Sequence, residues 1–149
     1  MSLARLRTRG VTAAVLIALA ATTLAAADAG AADRAAAAPQ TRQIASSVLG
    51  TDYKVTLTAL RSADDEYAAS VRLQVYTQAN GAWKESDRVT VGDVDGWFWY
   101  PLTGKGAVCQ FSTAGTEPAP IAVSLLLTPS LGCSEPTHLV LRQGRVYAA

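Results

Sequence analysis

"SVRLQVYTQANGAWKESDRVTV", residues 70–91, alternates apolar and polar side chains and carries an Asn-Gly pair near its middle. Val71, Leu73 and Val75 oppose Arg72, Gln74 and Tyr76. A period of two marks a strand with one buried face. Asn80-Gly81 is a strong hairpin signal, because both residues tolerate the positive φ of a two-residue turn. The stretch is expected to be two antiparallel strands, and that sets the class of the chain.

The same pattern extends outward in both directions. In "DYKVTLTAL", Tyr53, Val55, Leu57 and Ala59 share one face, with Lys54, Thr56 and Thr58 on the other. The two runs are joined by "RSADDEY", whose Asp64, Asp65 and Glu66 read as a solvated loop. Towards the C-terminus, "IAVSLLLT" points Ile121, Val123, Leu125 and Leu127 one way, and "THLVLRQGRVYA" reads as a hairpin about Gln143-Gly144. With the 97–102 and 107–112 segments this makes about eight short strands punctuated by Gly, Pro and Asn-Gly turns. The expected fold is all-β, a small antiparallel β-sandwich or barrel.

The N-terminus follows a different logic. Arg5, Arg7 and Arg9 precede a run without charge from Val11 to Ala27, rich in small residues at its end. This is the build of a secretory signal peptide, residues 1–27, and the run is short for a membrane span. Residues 28–47 read as a flexible Ala/Pro-rich leader, and 48–149 as a single all-β domain. The mature protein is expected outside the cell, with no membrane attachment after cleavage. Without the three leading arginines, ten basic residues face twelve acidic ones, which is no footprint for nucleic acid. Arginine and alanine abundance suits a bacterial, high-GC source.

Cys109 and Cys133 are the only cysteines. In an exported chain an even pair implies a disulfide, which by loop entropy contributes about 3.5 kcal/mol. One histidine, His138, and no nucleophile-elbow or metal-ligand spacing leave little basis for catalysis. Asp93 and Asp95 in "GDVDGW" lack the further oxygen ligands of a calcium loop and read as a turn. No cofactor, metal or catalytic residue is assigned.

"WFWYPL" is the feature with most bearing on function. If "TGKG" (103–106) closes a hairpin, Phe98, Tyr100, Leu102, Cys109 and Phe111 face the core. Trp97 and Trp99 then stand beside Ser112 and Gln110 on an exposed face. Two tryptophans at i and i+2 lie about 7 Å apart, a spacing suited to stacking sugar rings. Trp97, Trp99, Gln110 and Tyr76 are the expected ligand contacts, and Trp83 could extend them.

The expected function is that of a secreted, non-catalytic binding module for a glycan or cell-wall polymer, acting as a monomer. The alternative is a secreted inhibitor or protein-interaction domain using "STAGTEPAP" (112–120) and "TPSLGCSEP" (128–136), the latter tethered by Cys133.

Overall fold

The computed structural model describes residues 38–149; the expected signal peptide and the first part of the expected leader lie outside the described residues. β1 (Thr41–Leu49), β2 (Tyr53–Arg61), β3 (Ala68–Ala79) and β4 (Ala82–Val91) form an antiparallel meander in that order. The two-residue β5 (Trp97–Phe98) pairs with the start of β3 and completes this first sheet. The second sheet comprises β6 (Val108–Thr113), β7 (Ala119–Thr128), β8 (Gly132–Cys133), β9 (Thr137–Arg142) and β10 (Arg145–Ala148). Its order is β10-β9-β7-β6, with β8 paired to β7. The class is thus all-β and antiparallel, in two layers.

Both expected tight turns form as the residue types require. Asn80 and Gly81 have φ of 52° and 78°, and Gln143 and Gly144 have 49° and 72°. Period-two alternation puts Val55, Leu57 and Ala59 of β2 and Ala69, Val71, Leu73 and Val75 of β3 into the core. There they meet Ile121, Val123 and Leu125 of β7, Leu141 of β9 and Val146 of β10. Each fully buried aliphatic side chain of this kind contributes about 1.5–3 kcal/mol by leaving water.

Side chains bridge the sheet edges. Along one edge β1 meets β6, where the hydroxyls of Ser47 and Thr113 are 2.8 Å apart. Along the other, β4 meets β10: the Val146 N–H donates to Asp87 Oδ2 at 2.8 Å and Ser86 Oγ donates to the Gly144 carbonyl at 2.9 Å. A bulge in β4 makes the second contact possible. Val75 pairs with Asp87 and Tyr76 with Glu85, so Ser86 is the extra residue and the strand bends towards β10. The two sheets therefore approach a flattened, closed barrel.

Two expectations are corrected here. Residues 41–47, read as the end of the leader, are strand and pair with β2. The alternation is masked by a bulge between Gln43 and Ala45 and by the polar content of an edge strand. The 97–102 and 107–112 segments do not form a hairpin with each other. β6 pairs with β7, and the chain leaves β5 as a short helix, α1 (Trp99–Thr103).

Pro101 explains the second difference. Proline removes a ladder donor and is disfavoured inside a strand, yet the first turn of a helix has no use for that N–H. Thr103 Oγ1 donates back to the Trp99 carbonyl at 2.9 Å, and the Gly104 N–H to the Pro101 carbonyl at 3.3 Å. Trp99 and Leu102, at i and i+3, share the buried side of this turn, which packs against β1, β2 and β7.

Candidate functional site

The pairing of β5 with β3, in place of the expected hairpin with 107–112, inverts the expected exposure of the aromatic quartet. Trp97 and Trp99 are 7% and 8% exposed, whereas Phe98 and Tyr100 are 44% and 56% exposed. Trp97 pairs with Ala69, a core residue of β3, and so shares its inward face. Its indole N–H donates to the Val91 carbonyl at 2.8 Å, which satisfies the one polar atom that burial would otherwise leave stranded. The ring lies against Gly92, whose φ is +72° and whose missing Cβ would meet the indole at 3.2 Å. The expected platform of Trp97 and Trp99 is therefore core. The expected core residues Phe98, Tyr100 and Cys109 are at the surface, while Leu102 is buried and Phe111 packs partly against the core.

What replaces the platform is an exposed aromatic group at the same end of the barrel. The Trp99 N–H donates to the Tyr67 carbonyl at 2.8 Å, and Phe98 pairs with Ala68, so the backbones carrying Tyr67, Phe98 and Tyr100 lie together. The Tyr67 and Tyr100 rings are 6.0 Å apart between centroids, tilted by 53°. Arg61, from the end of β2, reaches Tyr100 and Trp99. Its guanidinium carbon is 5.7 Å from the centres of both the Trp99 and the Tyr100 rings. Its nitrogens donate to the Tyr100 hydroxyl, the Glu66 carbonyl and Gln40 Oε1. A cation stacked on two rings and hydrogen-bonded on three sides is fixed in place, and fixes the rings with it.

The outer face of the first sheet leads away from this group. Ala69, Val71, Leu73 and Val75 are buried, so Ser70, Arg72, Gln74 and Tyr76 point outwards, as expected for Tyr76. Phe98, opposite Ala68, belongs to the same outward face. A cleft of ≈ 350 Å³ opens on that face near Ser70 and Arg72, lined in part also by Arg61, Ser62, Asp64 and Asp95. Asp95 takes φ of 55° in the turn after β4. Its carboxylate accepts from the hydroxyls of Ser62 at 3.0 Å and Ser70 at 3.1 Å, and its N–H donates to Ser70 Oγ at 2.7 Å. The turn reading of Asp93 and Asp95 fits this, with the Gly96 N–H donating to the Asp93 carbonyl at 3.2 Å. At the far end of the face, about 27 Å along the strand, Lys54 Nζ lies 4.6 Å from the Tyr76 ring centre and 5.6 Å from that of Trp83.

The remaining sequence candidates fall elsewhere. Gln110 is exposed on β6, in the other sheet from Tyr76, so the four expected ligand contacts do not converge. Cys109 occupies a bulge between Val108 and Gln110 and is bonded to Cys133 of β8, with Cα atoms 6.2 Å apart. His138 lies in a shallow groove of ≈ 220 Å³ with Ser112 and Ala122. Ala122 pairs with both Ser112 and His138, which places those two residues two strand spacings, about 10 Å, apart. That separation is too long for a serine–histidine hydrogen bond. Among the described residues no three His, Cys, Asp or Glu side chains gather as metal ligands.

Both candidate loops are held internally. In 112–120, Glu117 accepts from the Tyr53 hydroxyl at 3.3 Å and from the Gln143 N–H. Burial first, and then the Glu117 carboxylate, push the Tyr53 hydroxyl above its ordinary pKa. In 128–136, Ser134 Oγ accepts from the Leu125 N–H at 3.1 Å, and Ser124 Oγ donates to the Ser134 carbonyl at 2.6 Å. Leu131, at the tip, is 68% exposed. No family model, curated protein or solved structure matches the chain.

Sequence reasoning missed Tyr67 and Arg61 as parts of the aromatic group. Tyr67 follows a charged loop and has no pattern of its own. The usable signal was Pro101, which demotes its run from strand and so argues against the hairpin from which the faces were assigned.

Proposed function

We propose that this chain is a secreted, non-catalytic binding module that recognises a glycan or cell-wall polymer through exposed aromatic side chains. The residues that carry the contact are Tyr67, Phe98 and Tyr100, in place of the tryptophan pair. The supporting observation is their exposure: Tyr67, Phe98 and Tyr100 are 60%, 44% and 56% exposed, and Arg61 holds the Tyr100 ring. A soluble protein gains nothing from such a group in isolation, and rigid rings lose little entropy when a sugar stacks on them.

Secretion is part of the same reading. The disulfide suits an oxidising compartment, and among the described residues no helix is long and apolar enough to cross a membrane. The test is co-sedimentation of the protein with insoluble polysaccharides and purified cell walls. A double variant, Phe98→Ala with Tyr100→Ala, should stay folded and lose retention by about tenfold or more. Retention of the variant at wild-type level would remove the aromatic group from the mechanism.

One observation favours the second reading, a protein-interaction or inhibitor domain. Leu131 is an apolar side chain presented at the tip of a hairpin tied by Cys109–Cys133 and by Ser134. Leu131→Asp would abolish capture of a secreted hydrolase under this reading and leave polysaccharide retention unchanged.

A further inference from the structure

The cleft on the outer face of the first sheet combines groups that a bare stacking surface does not need. We infer that this cleft is a subsite for a neutral saccharide unit, with Arg72 and Asp95 holding an adjacent pair of its hydroxyls. The inference rests on the glycan-binding reading above and names what the cleft adds to it.

The argument begins with hydrogen-bonding capacity. A guanidinium only donates and an ionised carboxylate only accepts, whereas a sugar hydroxyl does both. A site with donors and acceptors side by side therefore suits a ring bearing neighbouring hydroxyls better than it suits an anion or a cation. The cleft holds two guanidinium groups, Arg61 and Arg72, and two carboxylates, Asp64 and Asp95, so its formal charge balances. The hydroxyls of Ser62, Ser70 and Thr90 also line it.

The four charged groups are not equally available. Arg61 is occupied by Gln40, Glu66 and Tyr100. Arg72, half-buried on β3 and lining the cleft, makes no side-chain hydrogen bond or ion pair with any described residue. Asp95 accepts one hydroxyl on each oxygen, from Ser62 and Ser70, and a carboxylate offers about four lone-pair sites. Asp95 and Arg72 both line the cleft. The serines also hold the carboxylate in one orientation, which lowers the cost of binding. At ≈ 350 Å³ the cleft is at the small end of ligand sites, which run from about 300 to 1,000 Å³. Phe98 stands on the same face, two residues along from the level of Ser70, where it can meet the next ring of a chain.

The experiment is a titration of the isotopically labelled full chain with neutral oligosaccharides (cello-, xylo-, manno- and chito-series) and with oligogalacturonate as the charged counterpart. A neutral series should shift the amide signals of Ser70, Arg72, Thr90 and Asp95 saturably, with no loss of affinity in high salt. Arg72→Gln should weaken that binding by about tenfold or more, and Thr90→Val less, with the folded spectrum retained in both. Shifts given only by oligogalacturonate, and erased by salt, would make the cleft an anion site and overturn the inference. Shifts confined to Tyr67, Phe98 and Tyr100, unchanged in Arg72→Gln, would also overturn it while leaving the aromatic surface standing. Silence from every saccharide, together with no retention on polysaccharides or cell walls, would remove both.

Discussion

Trp97 and Phe98 are neighbours in sequence with opposite fates, and their energetics should show it. Removing a buried tryptophan strips its contacts and leaves a cavity that the surrounding core fills only in part. Trp97→Ala and Trp99→Ala are each expected to cost about 3–5 kcal/mol in urea unfolding, a large share of a small domain's stability. Phe98→Ala and Tyr100→Ala should each cost under about 1 kcal/mol, as surface changes usually do. The reverse order would restore the tryptophan platform. Thr56 poses a different problem at the same scale. It is 2% exposed, and its hydroxyl has no hydrogen-bond partner among the described residues. An unsatisfied buried hydroxyl costs about 1–3 kcal/mol, so Thr56→Val should raise the midpoint of thermal unfolding. A lower midpoint would mean that the hydroxyl has a partner after all.

At the scale of elements, the segment joining β4 to α1 carries the most information. Gly92 is needed twice over, for its positive φ and for the indole packed where a Cβ would stand. Gly92→Ala is expected to destabilise by about 1–3 kcal/mol through strain and displacement of Trp97. Equilibrium unfolding with tryptophan fluorescence would read both at once, and an unshifted emission maximum with unchanged stability would refute the close packing. The disulfide staples a second element pair, β6 and β8, each of which also pairs with β7. Cys133→Ser should cost about 2–5 kcal/mol. It should also loosen the Leu131 hairpin, visible as faster amide exchange confined to residues 128–136. Equal acceleration throughout the barrel would show that the bridge acts globally instead.

At the scale of the whole molecule, one contact ties the two sheets at an end of the barrel. Tyr53 begins β2, Glu117 lies between β6 and β7, and Gln143 forms the β9–β10 turn. The Tyr53 pKa is raised in the folded chain. The folded state thus holds that proton more tightly than the unfolded chain does. Its contribution is complete below the unfolded value near 10 and declines as pH climbs from there through the raised folded value. Unfolding midpoints should accordingly fall above about pH 10, and more gently in Tyr53→Phe. An identical alkaline slope in the two proteins would show that this tyrosine does not govern it.

Period-two patterning and turn chemistry made most of the barrel legible from residues alone. Asn80-Gly81 and Gln143-Gly144 specify their own φ values, and the alternation of β2, β3 and β7 specifies which side chains meet. These are local preferences, set by a residue and its near neighbours, and the cysteine pair was constrained by having no other partner. What needed the tertiary structure was the choice of partner and of face. β1 was hidden because an edge strand with a bulge carries little alternation. The pairing of β6 with β7 rather than with 97–102 is decided by contacts between residues far apart in sequence. The faces of the quartet turned on that same choice of partner: β5 joins β3, which sets Trp97 inward and Phe98 outward, and the helical turn after it buries Trp99. Likewise, Arg61 reaches Tyr100, and Ser62 and Ser70 reach Asp95, only because β2, β3 and the β4–β5 turn meet at one end of the barrel. Local chemistry determined what each segment could be, and long-range packing decided which surface it presents.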